Sequence, residues 1–154
     1  MKIFAVMMCL FLLSGCAALK ETWKSGFGEK SRGYVSYVVA DLSEIDSTEL
    51  SKDVSQFLMN QLPAAKTTLE LEPLKSPFHE KLRDQLSRKS FGIIEKNFRE
   101  PWQGVQVRYL ITRYEGGLLV RVQYLGKTAT RFYDRTQDGR LATSASYTLR
   151  EATK

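Results

Sequence analysis

The sequence is poor in the residues from which metal centres and disulfide scaffolds are built. Its 154 residues include two cysteines and one histidine, too few for a zinc site of the Cys/His type or for a disulfide-rich domain. It also lacks the glycine patterns that bind phosphates or dinucleotides. Apolar residues at 43% and charged residues at 26% are nevertheless typical of one folded domain.

The first sixteen residues predict export followed by lipid attachment. Lys2 precedes an unbroken apolar run from Ile3 to Leu13, which at about 1.5 Å per residue is too short to span a bilayer core of about 30 Å. A charged start with a run of this length is typical of an export signal. The run ends in Leu13-Ser14-Gly15-Cys16, which resembles a bacterial lipobox, in which the cysteine thiol is lipidated. An ordinary signal peptide with a chance cysteine is the alternative.

These features divide the chain into a signal peptide (1–15), a lipidated N-terminus with a flexible tether (16–33) and a periplasmic domain (34–152). Residue 17 is alanine, where an aspartate would be expected to retain a lipoprotein in the inner membrane. By resemblance to enterobacterial lipoproteins, we expect a lipid-anchored protein of the outer membrane that faces the periplasm. Several acyl chains, each contributing about 0.8 kcal/mol per buried CH₂, form a lasting anchor. Apart from this covalent lipid on Cys16, no cofactor is predicted.

Two helices are predicted in the first half of the domain. Asp46 with Glu49 resembles a capping box, and an amphipathic helix follows that ends before Pro63. Ser76 and Pro77 are typical of an N-cap and a first helical position, and predict a second helix.

Three strands accompany these helices. Residues 34–39 are rich in β-branched and aromatic side chains, residues 67–72 alternate as a half-buried strand does, and residues 91–94 are a short apolar run. The short connections through the second helix predict a right-handed crossover unit between the second and third strands.

A hairpin is predicted around the glycine pair at 116–117. If these two residues alone form the turn, Glu115 pairs with Leu118, and Ile111 shares a face with Val120. A three-residue turn would exchange the faces, so the two-residue turn is favoured.

The chain continues with a strand over 128–133, a turn at 138–139 and a last strand over 141–149. The whole pattern predicts an α+β fold, in which an antiparallel-rich sheet carries two helices on one face.

The surplus of positive charge lies in the C-terminal sheet, where residues 105–150 contain eight basic and three acidic side chains. Most of these bases are arginines, which suit planar, bidentate contacts. We take Arg108, Arg121, Arg131 and Arg135 as a candidate interaction surface for an acidic protein or anionic lipid headgroups. Nucleic acid is not expected as a partner, because the bases are spread over separate strands. A solvated face that keeps the domain soluble is the alternative.

The candidate catalytic residues are few. His79 lies in the first turn of the second predicted helix, where we expect an exposed or capping role. Glu70 and Glu72 are two apart on a strand, so their carboxylates point the same way. They could bind a cation or act as an acid/base pair, but we expect them on the wet side of the strand. We predict no catalytic or metal site and interpret the protein as a non-enzyme.

Several runs of the sequence resemble the TrbH family of conjugal transfer lipoproteins. These are residues 62–69, Pro77-Phe78 leading into Leu82-Arg83-x-x-Leu86, and residues 130–133 before the turn at 138–139. The resemblance covers the signal and about residues 45–150.

The resemblance implies a structural subunit of a conjugative type IV secretion apparatus for mating-pair formation. It implies secretion-channel core proteins as partners and is compatible with a homo-oligomeric ring. Some lipoproteins of such machines carry a domain similar to the secretin N0 module, a two-helix α+β sandwich. A periplasmic adaptor that activates or recruits a cell-wall enzyme is the alternative, because it shares the anchor and the α+β body.

Overall fold

The computed structural model describes residues 35–39, 41–97, 101, 103–143 and 145–151. The predicted signal peptide, the tether and Cys16 lie outside these residues. Within them, eight strands form a mixed, mostly antiparallel sheet, and two α-helices lie beside it. The predicted α+β class is confirmed, whereas the likeness to a secretin N0 module stays a prediction.

The elements follow one another along the chain and then meet in a different order in the sheet. They are β1 (Tyr37–Val38), α1 (Glu44–Gln61), a 3₁₀ turn (Ala64–Lys66), β2 (Thr68–Leu71), α2 (Pro77–Arg88), β3 (Gly92–Glu95), β4 (Val105–Tyr114), β5 (Gly117–Tyr124), β6 (Lys127–Arg135), β7 (Leu141–Thr143) and β8 (Thr148–Glu151). The strand order is β3-β2-β4-β5-β6-β7, with β1 also beside β4 and β8 also beside β6. The pairs of β2 with β3, β2 with β4 and β1 with β4 are parallel, and the other pairs are antiparallel.

Both helices begin at a serine cap. Ser43 Oγ accepts the backbone N–H of Asp46 at 3.0 Å, so the predicted start at Asp46 was wrong, because the hydroxyl three residues earlier satisfies that free N–H. The predicted cap of α2 is confirmed, since Ser76 Oγ accepts the backbone N–H of His79 and Pro77 is the first helical residue.

The crossover unit predicted from the sequence is present, because β2 and β3 are parallel neighbours joined by α2. The next connection, from β3 to β4, also crosses β2, since β2 lies between β3 and β4, and its described residues Lys96, Gln103 and Gly104 contact β2. This second crossing determines the surroundings of one candidate residue described below.

The hairpin turn lies one residue earlier than predicted. Tyr114 pairs with Gly117, so the turn consists of Glu115 and Gly116, whose φ angles of 44° and 82° fit a two-residue turn with two positive φ values. Gly117 pairs with Tyr114 and belongs to β5, and a Cβ there would lie 2.1 Å from the carbonyl oxygen of Tyr133 on β6. The second glycine of the pair is therefore required by the close approach of two strands and not by the turn.

This correction leaves the predicted faces intact. The pairing moves by two positions, so Ile111 now lies opposite Val120 and Tyr109 opposite Val122, and all four stay on the one buried face. A shift by one residue would have exchanged the faces.

The single last strand predicted over 141–149 was wrong, because the chain forms two short strands, β7 and β8, that both pair with β6. Between them, the carbonyl oxygen of Ala145 accepts the Nε–H of Arg131 at 2.8 Å. The ring of Tyr147 stacks on Phe57 of α1 with centroids 4.2 Å apart. These contacts draw the segment away from the edge of β6.

Both helices pack on the same face of the sheet, as predicted. Tyr109 on β4 meets Phe78 of α2 with ring centroids 5.1 Å apart. Tyr124 on β5 meets Phe57 of α1 edge-on at 5.7 Å and donates from its hydroxyl to Gln61 at 3.2 Å. One continuous core lies between the helices and this face.

Replacing Gly117 by Ala should destabilise the fold by about 3 kcal/mol, because the new Cβ forces β5 and β6 apart. Gly116→Ala is the matched control, since nothing lies within 4 Å of its Cβ and only the positive φ costs about 1 kcal/mol. Urea denaturation of the purified protein measures both. Equal costs at the two positions would contradict the close approach of β5 and β6.

Candidate interaction surface and buried polar clusters

The sheet has a second face on which neither described helix lies, which we call the open face. It carries the side chains that alternate with the buried ones. They are Tyr37 on β1; Glu70 on β2; Ile94 on β3; Gln106, Arg108, Leu110, Thr112 and Tyr114 on β4; Leu119, Arg121 and Gln123 on β5; Thr128, Thr130, Phe132 and Asp134 on β6; and Thr148 and Arg150 on β8.

Basic and aromatic side chains occupy different ends of the open face. One row of paired residues runs Arg108, Gln123, Thr128, Arg150 across four strands, and Arg121 stands in the next row. Toward the β4–β5 turn the face is aromatic and aliphatic, as in the edge-on contact of Tyr114 with Phe132. The open face therefore joins a basic region to an apolar region.

The four arginines of the candidate surface do not share one face, so the expectation that they form one surface was wrong. Arg108 and Arg121 are on the open face, whereas Arg131 pairs with the buried Val120 and therefore points toward the helices, as does Arg135. A count of charges cannot show this, because the face depends on odd or even position in β6. The interaction role of Arg108 and Arg121 stays a prediction.

Arg131 belongs to a polar cluster that joins the sheet to α1. Asp53 accepts hydrogen bonds from Arg131 Nη1 at 2.7 Å, from the Tyr147 hydroxyl at 2.8 Å and from the Tyr133 hydroxyl. Burial raises the pKa of both tyrosines above the usual range, so both hydroxyls stay protonated and donate. A second aspartate of α1, Asp46, lies seven positions before Asp53 and accepts a hydrogen bond from Arg135 Nη2 at 2.6 Å.

His79 is 3% exposed, so the expected exposure was wrong, although its backbone N–H does take part in the cap of α2. Its Nδ1 lies 2.5 Å from the hydroxyl of Tyr109, and its Nε2 lies 2.5 Å from Oε1 of Glu95. Burial, with the charges of Glu72 and Glu95, raises the pKa of Tyr109. The Tyr109 hydroxyl therefore stays protonated, and the lowered pKa of Glu95, caused first by its hydrogen bond with His79, makes its carboxylate the acceptor of the proton on Nε2.

A sequence signal for this position did exist. His79 precedes Leu82 by three residues and Leu86 by seven, which is the spacing of one buried helical stripe. Because Leu82 and Leu86 are fully buried, the stripe carries the imidazole into the core with them.

Glu70 was expected on the wet side of its strand, but it is 1% exposed. The connection that crosses β2 covers it: the carboxylate accepts the backbone N–H groups of Gln103 and Gly104, the latter at 2.7 Å, and Lys96 Nζ lies 3.5 Å away. Burial raises the pKa of Glu70, but the two N–H groups and the charge of Lys96 outweigh burial, so its pKa is lowered.

Glu72 does not join Glu70 in a common site. It is half-buried and accepts the backbone N–H of Ser36 at 3.1 Å, just before β1. The two carboxylates thus hold different chain segments in place. Among residues 35–39, 41–97, 101, 103–143 and 145–151, no three His, Cys, Asp or Glu side chains are grouped to hold a metal ion.

Comparison with known families assigns this domain. A family model described as conjugal transfer protein TrbH matches residues 29–152, which is most of the chain. The chain belongs to the TrbH family. The match confirms the resemblance seen in the sequence, and it includes both helices, the open face and the polar clusters of the described part of this TrbH protein. TrbH membership makes it a component of conjugal transfer by type IV secretion. The comparisons with curated proteins and with solved structures gave no significant match.

Replacing Glu70 by Gln should destabilise this TrbH domain by about 1.5 kcal/mol at neutral pH. This value is at the lower end of the range for hydrogen bonds to a charged group, and we choose it because only one chain segment covers the site. Folding lowers the pKa of Glu70 below 4.5, so the stabilisation is complete above the pKa of the unfolded chain and is lost as pH falls through the lower native pKa. The stability difference from wild type should therefore shrink in acid.

Urea denaturation at a series of pH values measures this effect. Glu80→Gln, on the exposed side of α2, is the control and should change stability little at any pH. A difference for Glu70→Gln that stays constant into acid would mean that the carboxylate is not held in its charged form.

Proposed function

We propose that this protein is an outer-membrane lipoprotein, facing the periplasm, that serves as a structural subunit of the conjugative type IV secretion apparatus. The observation that carries the proposal is the TrbH family match over residues 29–152. The lipobox-like Leu13-Ser14-Gly15-Cys16, followed by Ala17, supports the lipid anchor. In the described part of the chain, neither helix combines the length and the apolar character required of a membrane span.

A structural role is further supported by the use of the polar residues inside the fold. His79 binds Tyr109 and Glu95, Glu70 binds the backbone that crosses it, and Asp53 binds three donors of the C-terminal strands. The hydrogen bonds of these side chains therefore join helices, strands and connections of the fold to one another.

Such a subunit acts by position. An acyl anchor confines the domain to the membrane surface and so raises its effective concentration near the channel core proteins and near other copies of itself.

Deletion of the gene should abolish plasmid transfer while growth stays normal, because a missing scaffold subunit prevents assembly of the channel. Mating assays with a complemented strain as control measure transfer frequency. Unchanged transfer with an altered cell-wall composition would instead favour the adaptor that acts on a cell-wall enzyme.

Replacing Cys16 by Ser should remove lipid from the protein and release it from the membrane fraction, because the thiol is the site of acylation. Incorporation of labelled palmitate and fractionation measure both effects. Cys9→Ser is the matched control and should keep full labelling, since Cys9 lies within the predicted signal peptide. Labelling that persists in the Cys16 variant would place the lipid elsewhere.

A further inference from the structure

The basic region of the open face is poorly neutralised within the domain. Arg121 and Arg150 are exposed, and neither forms an ion pair with another side chain that the structure describes. Arg108 interacts with the charge of Glu72. Of the acidic side chains on the open face, Glu70 is bound by Gly104 and Lys96, and Asp134 lies toward the other end, opposite Ala142 of β7. The region therefore favours an anionic partner.

The positive charge of this region determines which partners can cover the open face. Two copies placed face to face would bring arginines either against arginines or against the apolar end of the other copy, and both arrangements are unfavourable for the charge. The preceding residues 17–33 are also net basic, with Lys20, Lys24, Lys30 and Arg32 against Glu21 and Glu29, so they do not complement it.

The remainder of the face suits a lipid surface. Tyr37 is 49% and Tyr114 50% exposed, and both combine an apolar ring with a polar tip, as aromatic side chains at membrane interfaces do. Arginine beside such rings can bind phosphate groups while its stem stays on apolar surface.

The chain enters the domain at the same face. Val35 is 68% exposed, and Tyr37, two residues on, belongs to the open face. The residues between Cys16 and Val35 reach at most about 65 Å, which lets the face lie on the membrane that holds the anchor. Anionic lipid is therefore the oppositely charged partner at the highest local concentration.

We propose that the open face of the sheet, through Arg121 and Arg150 in its basic region and Tyr37 and Tyr114 elsewhere on the same face, lies on anionic phospholipid headgroups. The inference rests on the lipid anchor at Cys16 proposed above. The acyl chains hold the protein at the membrane, and the open face sets its orientation there, with α1 and α2 turned away from the bilayer.

A fluorescent probe on a single introduced cysteine tests this orientation. The lipidated full-length product carries the probe at Thr148→Cys, on the open face, or at Lys52→Cys, on exposed α1. It is reconstituted in vesicles of phosphatidylcholine alone or with an equal part of phosphatidylglycerol, and acrylamide, an uncharged quencher, reports access from water. We expect protection at Thr148 only with phosphatidylglycerol, and no protection at Lys52.

Charge variants and salt make the test specific. Arg121→Gln and Arg150→Gln should each lower the ratio of protected to accessible probe at Thr148 about fivefold, whereas Lys52→Gln and Arg88→Gln, on exposed helix positions, should not. High salt should remove the protection without releasing the anchored protein. Equal quenching at Thr148 in both vesicles would overturn the proposal. Protection that appears only in the isolated transfer complex would also overturn it and assign the face to a protein.

The lipid anchor is tested separately, by sedimentation of the wild-type and Cys16→Ser proteins with phosphatidylcholine vesicles. If the wild-type protein does not sediment, the proposed lipoprotein is wrong. Protection of the Thr148 probe can still be measured in that case by adding an excess of anionic vesicles.

Discussion

Three tyrosines, one on each central strand, hold this domain together. Tyr109, Tyr124 and Tyr133 stand on β4, β5 and β6, and each places its ring in the core while its hydroxyl bonds a helix residue: His79, Gln61 and Asp53 respectively. A buried phenol needs a hydrogen-bond partner, so a helix that slid along the sheet would lose several such bonds at once. The tyrosines thus fix both helices to one face.

The placement of the helices decides the surface chemistry. Because α1 and α2 occupy one side, the arginines that point there are neutralised by acidic residues of α1, as Arg131 is by Asp53 and Arg135 by Asp46. On the other side, Arg121 and Arg150 keep their charge toward solvent. A sheet with a net basic sequence is thereby sorted into a neutralised face and a charged face.

Features that depend on neighbouring residues could be predicted, whereas those that depend on distant segments could not. The cap at Ser76 and the faces of the hairpin follow from spacing alone, and the face pattern even survives an error in the turn. Glu70 looked exposed because nothing within β2 shows that Lys96, Gln103 and Gly104 lie against it. The division of the candidate arginines likewise depends on how β6 pairs with β5, and the break between β7 and β8 depends on a contact between Tyr147 and Phe57 of α1.

The two crossings at β2 have a consequence for how the domain opens. α2 passes over one side of this strand and Gln103 and Gly104 lie against the other, while β3 and β4 flank its edges, and Leu69 and Leu71 are fully enclosed. Loss of the edge strand β3 would expose only those amides of β2 that face β3, whereas those that face β4 would stay enclosed. Hydrogen exchange of the enclosed amides therefore requires more than fraying of the sheet edge, and we expect it to be slower than that of β3.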